Sequence, residues 1–544
     1  MRNPCPTAAT PDVAAGDAGP VALPVWLTRL ACVVALTGAA VCLYSMRQVD
    51  PDLYGYLAYG RLFAERGATG VHDPFAYTSA AFTWVTFEYL AQLALWTAYA
   101  WAGPVGLIAL KCAVGGAALY FLFAAIRLAP ASPFVWVPAF LLCASTLSRF
   151  FLFRPQLFTF AFFALFVAVL FRFLIRRRAP LWILPIAMLV WANTHGGFVA
   201  GLGAVGLAIL VRVAENLAAQ RYTPARLFDG TRRLWATLLA AAAATFVTPL
   251  GFRLWGYILT ELSHGTNRRY IAEWGPASLS NDPWSAVMLT LISATLTLAG
   301  WLAHRLRRPD DPPVWPWVAS AVPLIAMSYL SVRHVPLAAI WAGPVVALLG
   351  GRIGPELAAL VLSRRLWFIV RGFAAVPVCL TLGIVVANPF PAIRADGRVL
   401  GRTHPCGAVQ FLREHAIAAN LYTPLWWGAY ITWELYPSVR VSMDGRNISL
   451  YSRAMVLENL KFYSDPAPSV DAGTPLRYDT DLLLVPSDSA AVGPVLEDTR
   501  WRRIYADDDA VLFARASGRA HGPSISLVAT AAPAHHAGCS PVLN

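Results

Sequence analysis

Charge is scarce in this sequence. Only 13% of its 544 residues are Asp, Glu, Lys or Arg, whereas a soluble protein carries roughly a quarter. An apolar run of about eighteen residues can cross a hydrocarbon core as a helix, because lipid offers no partner for unpaired backbone groups. The sequence therefore predicts a polytopic α-helical membrane protein and excludes a soluble one. Six long stretches lack charged residues altogether: 131–148, 155–171, 234–250, 285–303, 314–331 and 335–350.

Two further observations narrow the class of protein. The eight cysteines include no CxxC pair and no metal-ligand spacing, although Cys406 and Cys539 could pair in an oxidising compartment. The net charge of +13 would suit nucleic acid, but most basic residues lie in short loops between apolar runs, as membrane topology requires. We therefore expect membrane lipids as neighbours and no nucleic acid as partner.

The apolar runs predict about eleven transmembrane helices. Basic clusters occur at 172–178, 212–233, 305–308 and 364–365, and placing all of them in the cytoplasm gives one path that starts inside and ends outside. This orientation predicts a multi-pass protein of the bacterial inner (cytoplasmic) membrane with a cytoplasmic N-terminus. The predicted spans are 25–45, 104–127, 131–148, 155–175, 180–194, 197–213, 234–250, 285–303, 314–331, 335–350 and 366–388.

One apolar stretch, residues 84–103, is left out of this count. It carries Glu88 and Gln92 and ends at Gly103-Pro104. Counting it as a span would reverse every later loop and move the arginines at 172–178 outside. The positive-inside rule therefore predicts a helix that lies at the outer interface, within a long first loop.

The composition divides the chain into four parts. Residues 1–24 are predicted to be a disordered cytoplasmic N-terminus, and 25–388 a transmembrane domain whose first outer loop is 46–103. Residues 389–515 predict an extracytoplasmic α/β domain, with a helix at 405–416 and strands at 439–443, 481–486 and 509–515. Residues 516–544 are predicted to be a disordered tail.

An acidic motif, Asp50-Pro51-Asp52, follows the first predicted span. A carboxylate at this place can act as general base toward an acceptor hydroxyl, or hold a divalent cation such as Mg²⁺ or Mn²⁺. The alternative is that Asp52 caps the following helix. The presence of two carboxylates favours a functional site.

Other polar groups collect at the predicted outer helix ends. Several cations beside two carboxylates would form a pocket that stabilises a departing phosphate, because arginine forks match phosphate oxygens. Glu88, Asn193 and Gln156 could orient a substrate in the same pocket. The candidate phosphate-binding residues are Arg154, His195, Arg268, Arg269, Arg333 and His334.

These residues resemble the GT-C superfamily of multi-spanning glycosyltransferases. The shared features are the acidic motif after the first helix, the long first loop, the odd number of spans and the outer C-terminal domain. A group of bacterial proteins of this type shares further motifs over about residues 49 to 515. They are Asp50-Pro51-Asp52-Leu53-Tyr54-Gly55, the run His72–Thr78, the run Phe87–Gln92, Arg154–Phe158, Trp191–Gly197, Trp427–Tyr430 and Met443–Arg446.

The resemblance implies an inverting transfer of a sugar from a polyprenyl-phosphate donor to a glycan, lipid or protein acceptor. Asp50 or Asp52 would be the catalytic base. A WWDYG-type motif is missing, which puts transfer to peptide asparagine in doubt. Two alternatives stay open: a transporter or lipid flippase, and a non-catalytic assembly partner.

Overall fold

The structure is a computed structural model that describes residues 25–45, 50, 52–67, 72–79, 84–220, 222–263, 272–307, 311–353, 404–446, 449–465 and 474–516. Three expectations lie outside these residues: the span at 366–388, the disorder of 1–24, and most of the disordered tail. Arg268 and Arg269 also lie outside them.

As far as residue 353, the regular elements of the described residues are helices. They are α1 Val25–Ser45, α2 Leu53–Arg66, α3 Tyr89–Ile126, α4 Pro133–Ser148, α5 Gln156–Arg176, α6 Ile183–Ala192, α7 Phe198–Ala218, α8 Pro224–Leu227, α9 Arg232–Ala244, α10 Phe252–Ser263, α11 Pro283–Arg305, α12 Trp315–Leu330 and α13 Val335–Arg352.

Five of these helices are long and apolar enough to cross a membrane, namely α3, α5, α7, α11 and α13. Shorter apolar helices occur in α1, α4, α6 and α12. This composition is that of a polytopic membrane protein. Two predicted spans are shorter as helices. The one expected at 180–194 is the ten-residue α6, and the one expected at 234–250 ends at Ala244, so its thirteen residues reach only about 20 Å of a core about 30 Å thick.

The early end of α9 has a local cause. Thr245 turns its hydroxyl back to the Ala242 carbonyl, and Thr248 accepts backbone N–H groups of Leu250 and Gly251. Such side-chain bonds compete with the helical ladder, and Pro249 disfavours helix in the residue before it. The chain therefore turns here before α10 begins.

Helix α3 bends where the sequence predicts a boundary. Ala102 and Gly103 have non-helical backbone angles, with φ of +54° at Gly103, and Pro104 follows. Before the bend, Gln92 and Trp96 lie against Gly60 of α2, and after it Gly115 lies against Leu43 of α1. One long helix in the structure thus contains both the predicted interfacial helix and the predicted second span.

Ion pairs show which helix ends share a face. Arg149, just after α4, pairs with Asp282, just before α11, at 3.5 Å. At the opposite ends, Arg177 after α5 and Arg212 in the last turns of α7 both pair with Glu215. The helices therefore alternate in direction. We call the end that carries Arg149 and Asp282 the site face.

The C-terminal part contains a mixed five-stranded sheet in the order β2-β1-β3-β5-β4. Strands β2, β1 and β3 are parallel, whereas β5 is antiparallel to β3 and β4. The predicted helix and three strands are present, and β1, β4, α15 and α16 were not predicted. The elements are α14 Cys406–Glu414, β1 Ala419–Tyr422, α15 Leu425–Leu435, β2 Val439–Val441, α16 Arg453–Ser464, α17 Thr474–Arg477, β3 Leu482–Pro486, α18 Val492–Glu497, β4 Trp501–Ala506 and β5 Ala510–Arg515.

The first loop packs with this sheet. Ala76 forms a parallel bridge with Val441, where Val441 N–H donates to Phe75 and Tyr77 N–H donates to Val441. Apolar residues of α2 and the loop share one buried core with the C-terminal domain: Tyr54, Tyr59, Phe63, Phe75 and Trp84 pack with Trp427, Tyr430, Leu482 and Leu512. The packing unit that contains the sheet therefore also includes α2 and its loop, while the predicted division at residue 389 lies outside the described residues.

Candidate functional site

Arg154, just before α5, brings the two predicted aspartates together on the site face. Its guanidinium forms an ion pair with Asp50 and lies 3.6 Å from the Asp52 carboxylate. It also pairs with Glu273, which in turn lies 3.3 Å from Arg333. We call these five residues the Arg154 cluster. They come from four separate chain segments, and the structure unites the predicted residues Asp50, Asp52, Arg154 and Arg333.

The two aspartates have different surroundings. Asp50 is buried, with 5% of its side chain exposed, and its Oδ1 accepts the Asp52 N–H at 2.9 Å. Asp52 stands at the start of α2, yet its side chain makes no capping hydrogen bond, and 31% of it is exposed. The capping alternative thus does not describe Asp52. Asp50 fixes the turn, whereas the Asp52 carboxylate is partly exposed.

The pKa values of the Asp52 and Glu273 carboxylates are shifted in opposite directions. Burial raises the pKa of Asp52 to about 7, and the nearby carboxylates of Asp50, Glu273 and Asp444 add to this rise, while Arg154 opposes it. Burial alone would also raise the pKa of Glu273, but Arg154 and Arg333 lower it to about 2. Asp52 is therefore the member of the cluster that can exchange a proton near neutral pH.

Glu273 was given no role from the sequence. It lies in a short 3-10 turn, Ala272–Trp274. No recognisable sequence motif comes before this turn. Arg333 belongs to a second such turn and lies over the Trp274 ring at 4.5 Å, which holds the two turns together. The only sequence signal for Glu273 was a carboxylate in a loop that also carries arginines.

The charge balance bears on phosphate binding. Three carboxylates face two arginines in the described cluster, and each terminal nitrogen of Arg154 points toward a carboxylate. Arg154 is thus engaged in holding acidic side chains. Arg333 keeps 32% of its side chain exposed, and His334 follows it directly before α13. Phosphate binding by Arg154, Arg333 and His334 stays a prediction.

His195 lies beside the cluster in a defined hydrogen-bond network. Its Nδ1 accepts the Gly197 N–H at 3.0 Å and contacts the Thr159 hydroxyl at 2.8 Å, while Trp191 donates to that hydroxyl. Burial and Arg333 lower the pKa of His195 to about 3, so the ring is neutral. With Nδ1 accepting, the proton resides on Nε2, which points toward Glu88 at 3.6 Å. His195 can therefore donate a hydrogen bond, but it does not supply a positive charge.

Two predicted orienting residues have partly structural surroundings. The Asn193 side-chain amide donates to the backbone carbonyls of Leu189 and Val247, and the Asn193 backbone carbonyl accepts the Leu90 N–H. Gln156 begins α5, next to Arg154. Their substrate-orienting roles stay predictions. Within the described residues no group of three or more His, Cys, Asp and Glu side chains is arranged to hold a metal ion, and the possible Mg²⁺ or Mn²⁺ also stays a prediction.

A second ionic group lies close by. Arg446 pairs with Asp444 and with Asp73 of the first loop, both at 2.7 Å, and we call these three residues the Arg446 cluster. Its guanidinium also lies over the rings of Trp84 and Tyr59 at 4.5 and 4.6 Å. At most 4% of any of the three side chains is exposed. This cluster ties the C-terminal domain to the first loop.

The described part of the chain combines apolar helices, an acidic first loop on their site face and a mixed sheet packed on that loop. ArnT from Cupriavidus metallidurans matches in a crystal structure bound to undecaprenyl phosphate and in one in the apo state, each with a TM-score of 0.50 and with 15% and 16% identity. The matches cover 91% and 90% of this chain and 98% of the ArnT chain in each structure. This chain therefore shares its fold with these ArnT structures, in agreement with the multi-spanning fold predicted from the sequence.

A third match is the cryo-EM structure of a mutant of arabinofuranosyltransferase AftD from mycobacteria. Its TM-score is 0.49 at 14% identity, and it covers 90% of this chain and 42% of that chain. No family model matches the sequence, and neither does any curated protein.

Proposed function

We propose that this protein is an inverting glycosyltransferase that moves a sugar from a polyprenyl-phosphate donor to an acceptor outside the cytoplasm. The observation that carries the proposal is Asp52, a partly exposed carboxylate with a pKa of about 7 beside the arginines of the site face. The similarity in fold to ArnT, whose structure holds undecaprenyl phosphate, supports this donor class. The acceptor is a hydroxyl of a glycan, lipid or protein.

In the proposed reaction Asp52 takes the proton of the acceptor hydroxyl as its oxygen attacks the anomeric carbon. The bond from that carbon to the phosphate oxygen breaks, and polyprenyl phosphate leaves with the electron pair. Asp52 is favoured over Asp50 as the base because Asp50 is buried and its carboxylate already accepts the Asp52 N–H and pairs with Arg154. A pKa near the working pH suits a general base.

Arg333 is the arginine of the cluster with most exposure, so we propose that it binds the departing phosphate. Arg268 and Arg269 could add to this charge. The neutral His195 would donate from Nε2 to a sugar or phosphate oxygen, or to Glu88. Arg154 would hold both aspartates in place, and positioning of this kind supplies much of a transferase's rate.

We further propose that the site face lies outside the cytoplasm in a bacterial inner membrane. Arg172, Arg176 and Arg178 lie at the opposite helix ends, which the positive-inside rule assigns to the cytoplasm. Cys406, at the start of α14, is disulfide-bonded, and disulfides persist in oxidising compartments. Labelling of single introduced cysteines in intact cells tests this orientation.

The test of function compares Asp52→Asn with Asp50→Asn and Asp488→Asn. The purified proteins are assayed with a panel of radiolabelled polyprenyl-phosphate sugars, with and without chelator. Loss of a general base lowers kcat by about 10²- to 10⁴-fold, and we expect this for Asp52→Asn. Asp488 is exposed in the C-terminal domain, so its variant should match the parent protein.

The comparison of the two aspartates tests the assignment of the base. We expect a smaller loss for Asp50→Asn, since asparagine keeps an oxygen that can accept the Asp52 N–H. A larger loss in Asp50→Asn than in Asp52→Asn would reverse the assignment. Equal transfer by all variants would remove the proposed chemistry and favour a transporter or an assembly partner.

A further inference from the structure

The loop between β2 and α16 meets the Asp52 carboxylate. A Cβ added to Gly445 would overlap Asp52 Oδ1 and lie 3.1 Å from Asp52 Cγ. The glycine backbone therefore packs directly against the carboxylate, and a side chain at this position would have to displace the end of the Asp52 side chain. We infer that Gly445 is a positioning residue for Asp52, so that the C-terminal domain completes the catalytic site. The inference rests on the proposed function.

The loop that carries Gly445 is held rigidly on both sides of the glycine. Asp444 accepts the Arg446 N–H at 3.1 Å and Arg446 Nε at 2.9 Å. Arg446 Nη2 closes a second bond to Asp444 at 2.7 Å. A bidentate pair of this kind fixes both distance and orientation. Gly445 is thus the tip of a short clamped turn.

The clamp is also anchored to the first loop. Arg446 Nη1 donates to Asp73 at 2.7 Å, and Asp73 in turn accepts from Phe75 N, Ala76 N and Ser79 Oγ. The first loop leads into this region from α2, which begins next to Asp52. The Arg446 cluster therefore holds the loop that carries Gly445 against the first loop.

The loop has no room to retreat from Asp52. Behind it, a Cβ on Gly428 of α15 would overlap the Met443 carbonyl oxygen and lie 2.9 Å from Asp444 Cα. The two backbones are thus already in close contact. A methyl group added at Gly445 must consequently move the end of the Asp52 side chain and not the loop.

The Asp52 oxygens have separate surroundings as a result. Oδ2 lies 3.6 Å from Arg154 Nη2, and Oδ1 packs on Gly445. A rotation of this carboxylate changes its direction toward the acceptor hydroxyl. General bases act within about 2.6–3.2 Å of their proton, and a displacement of about 1 Å lowers rates by up to about 100-fold.

The test uses Gly445→Ala with Gly493→Ala as its matched control. Gly493 belongs to α18 of the same domain, and a Cβ there meets open space. We expect Gly445→Ala to lower kcat by about 10- to 100-fold with an unchanged KM for the polyprenyl-phosphate sugar. The acidic limb of the kcat profile should also shift to lower pH, because the displaced carboxylate moves away from Asp444. Gly493→Ala should change neither quantity.

A double variant separates positioning from a general structural effect. If Gly445 acts through Asp52, Gly445→Ala should add no further loss to Asp52→Asn. An equal further loss in that background, or an unchanged kcat in Gly445→Ala alone, would overturn the inference. Arg446→Lys tests the same claim by removing the bidentate pair with Asp444. It should lower kcat in the parent protein but not in Asp52→Asn.

The outcome for Asp52→Asn distinguishes a failure of the inference about Gly445 from a failure of the proposed function. If Asp52→Asn loses transfer and Gly445→Ala does not, the inference fails and the proposed function stands. If Asp52→Asn transfers sugar as well as the parent protein, both fail.

Discussion

The Arg154 cluster and the Arg446 cluster use the same groups for different purposes. In both, one arginine joins carboxylates that are distant in sequence. Side-chain exposure in the Arg446 cluster does not exceed 4%, whereas Asp52, Glu273 and Arg333 of the Arg154 cluster have 31%, 37% and 32% exposed. The Arg446 cluster is closed and its charged groups have partners, whereas the Arg154 cluster is open to a ligand.

Each cluster has one carboxylate more than it has arginines, but the surroundings of the carboxylates differ. Arg446 forms a bidentate pair with Asp444, donates to Asp73 and lies over three aromatic rings. In the Arg154 cluster, burial and the neighbouring carboxylates raise the pKa of Asp52 to about 7. A buried ionic group with complete partners holds a structure together, while an incompletely compensated one near water can do chemistry.

The largest effect expected is on stability, from Arg446→Met. Removing one partner of a buried ionic group costs about 3–5 kcal/mol, because the remaining carboxylates lose their compensation. Thermal unfolding in detergent should show a much lower midpoint than for Arg154→Met. Arg154→Met also leaves the buried Asp50 carboxylate without this partner, but Asp52 and Glu273 are partly exposed to water and Asp52 readily takes up a proton. Similar losses for the two variants would erase the difference between the clusters.

The next effect is a gain of stability in Asp52→Asn at high pH. The folded-state pKa of Asp52, about 7, is above the ordinary value of about 4. Ionised Asp52 therefore disfavours the folded state fully above about pH 7, and this penalty disappears as the pH falls toward 4. The melting midpoint of Asp52→Asn should exceed that of the parent protein at pH 8, with a smaller difference at pH 5. A difference that grows toward acidic pH would contradict the assigned shift.

A smaller effect is expected in the pH profile of Glu273→Gln. Glu273 raises the pKa of Asp52 and neutralises Arg154 and Arg333, so its removal lowers the Asp52 pKa for two reasons. The acidic limb of kcat should shift to lower pH by less than about one unit. Glu65→Gln, in an exposed pair with Arg61, should leave the profile unchanged. A shift to higher pH would show that Glu273 does not act on Asp52 in this way.

The smallest effect belongs to the surface. Arg61 and Glu65 pair at 2.9 Å along α2, with 60% and 53% of their side chains exposed. Exposed pairs of this kind contribute less than about 1 kcal/mol, because water screens them. Arg61→Met should shift the unfolding midpoint only slightly. The shift in Arg446→Met is compared with this small shift. A large shift would mean that the Arg61 contact with the Trp96 ring, at 5.9 Å, matters more than the ion pair.

Local signals in the sequence were sufficient for most helices and for the place of the acidic motif. Uncharged runs predicted α1, α4, α5, α11 and α12 nearly to the residue, and Gly103-Pro104 predicted the bend in α3. Strands β1 and β4 were missed because neither shows a regular alternation of buried and exposed residues. Glu273 was missed because its significance lies in two arginines, one over a hundred residues earlier and one sixty later.

The sequence decided the membrane class, the alternation of the helices and the presence of two aspartates after the first one, since hydrophobicity and loop charge act locally. Only the tertiary structure decided which aspartate is open to water, that Arg154 holds carboxylates, and that Gly445 reaches Asp52. Those properties depend on burial and on distances between segments far apart in the chain, and no local pattern encodes either.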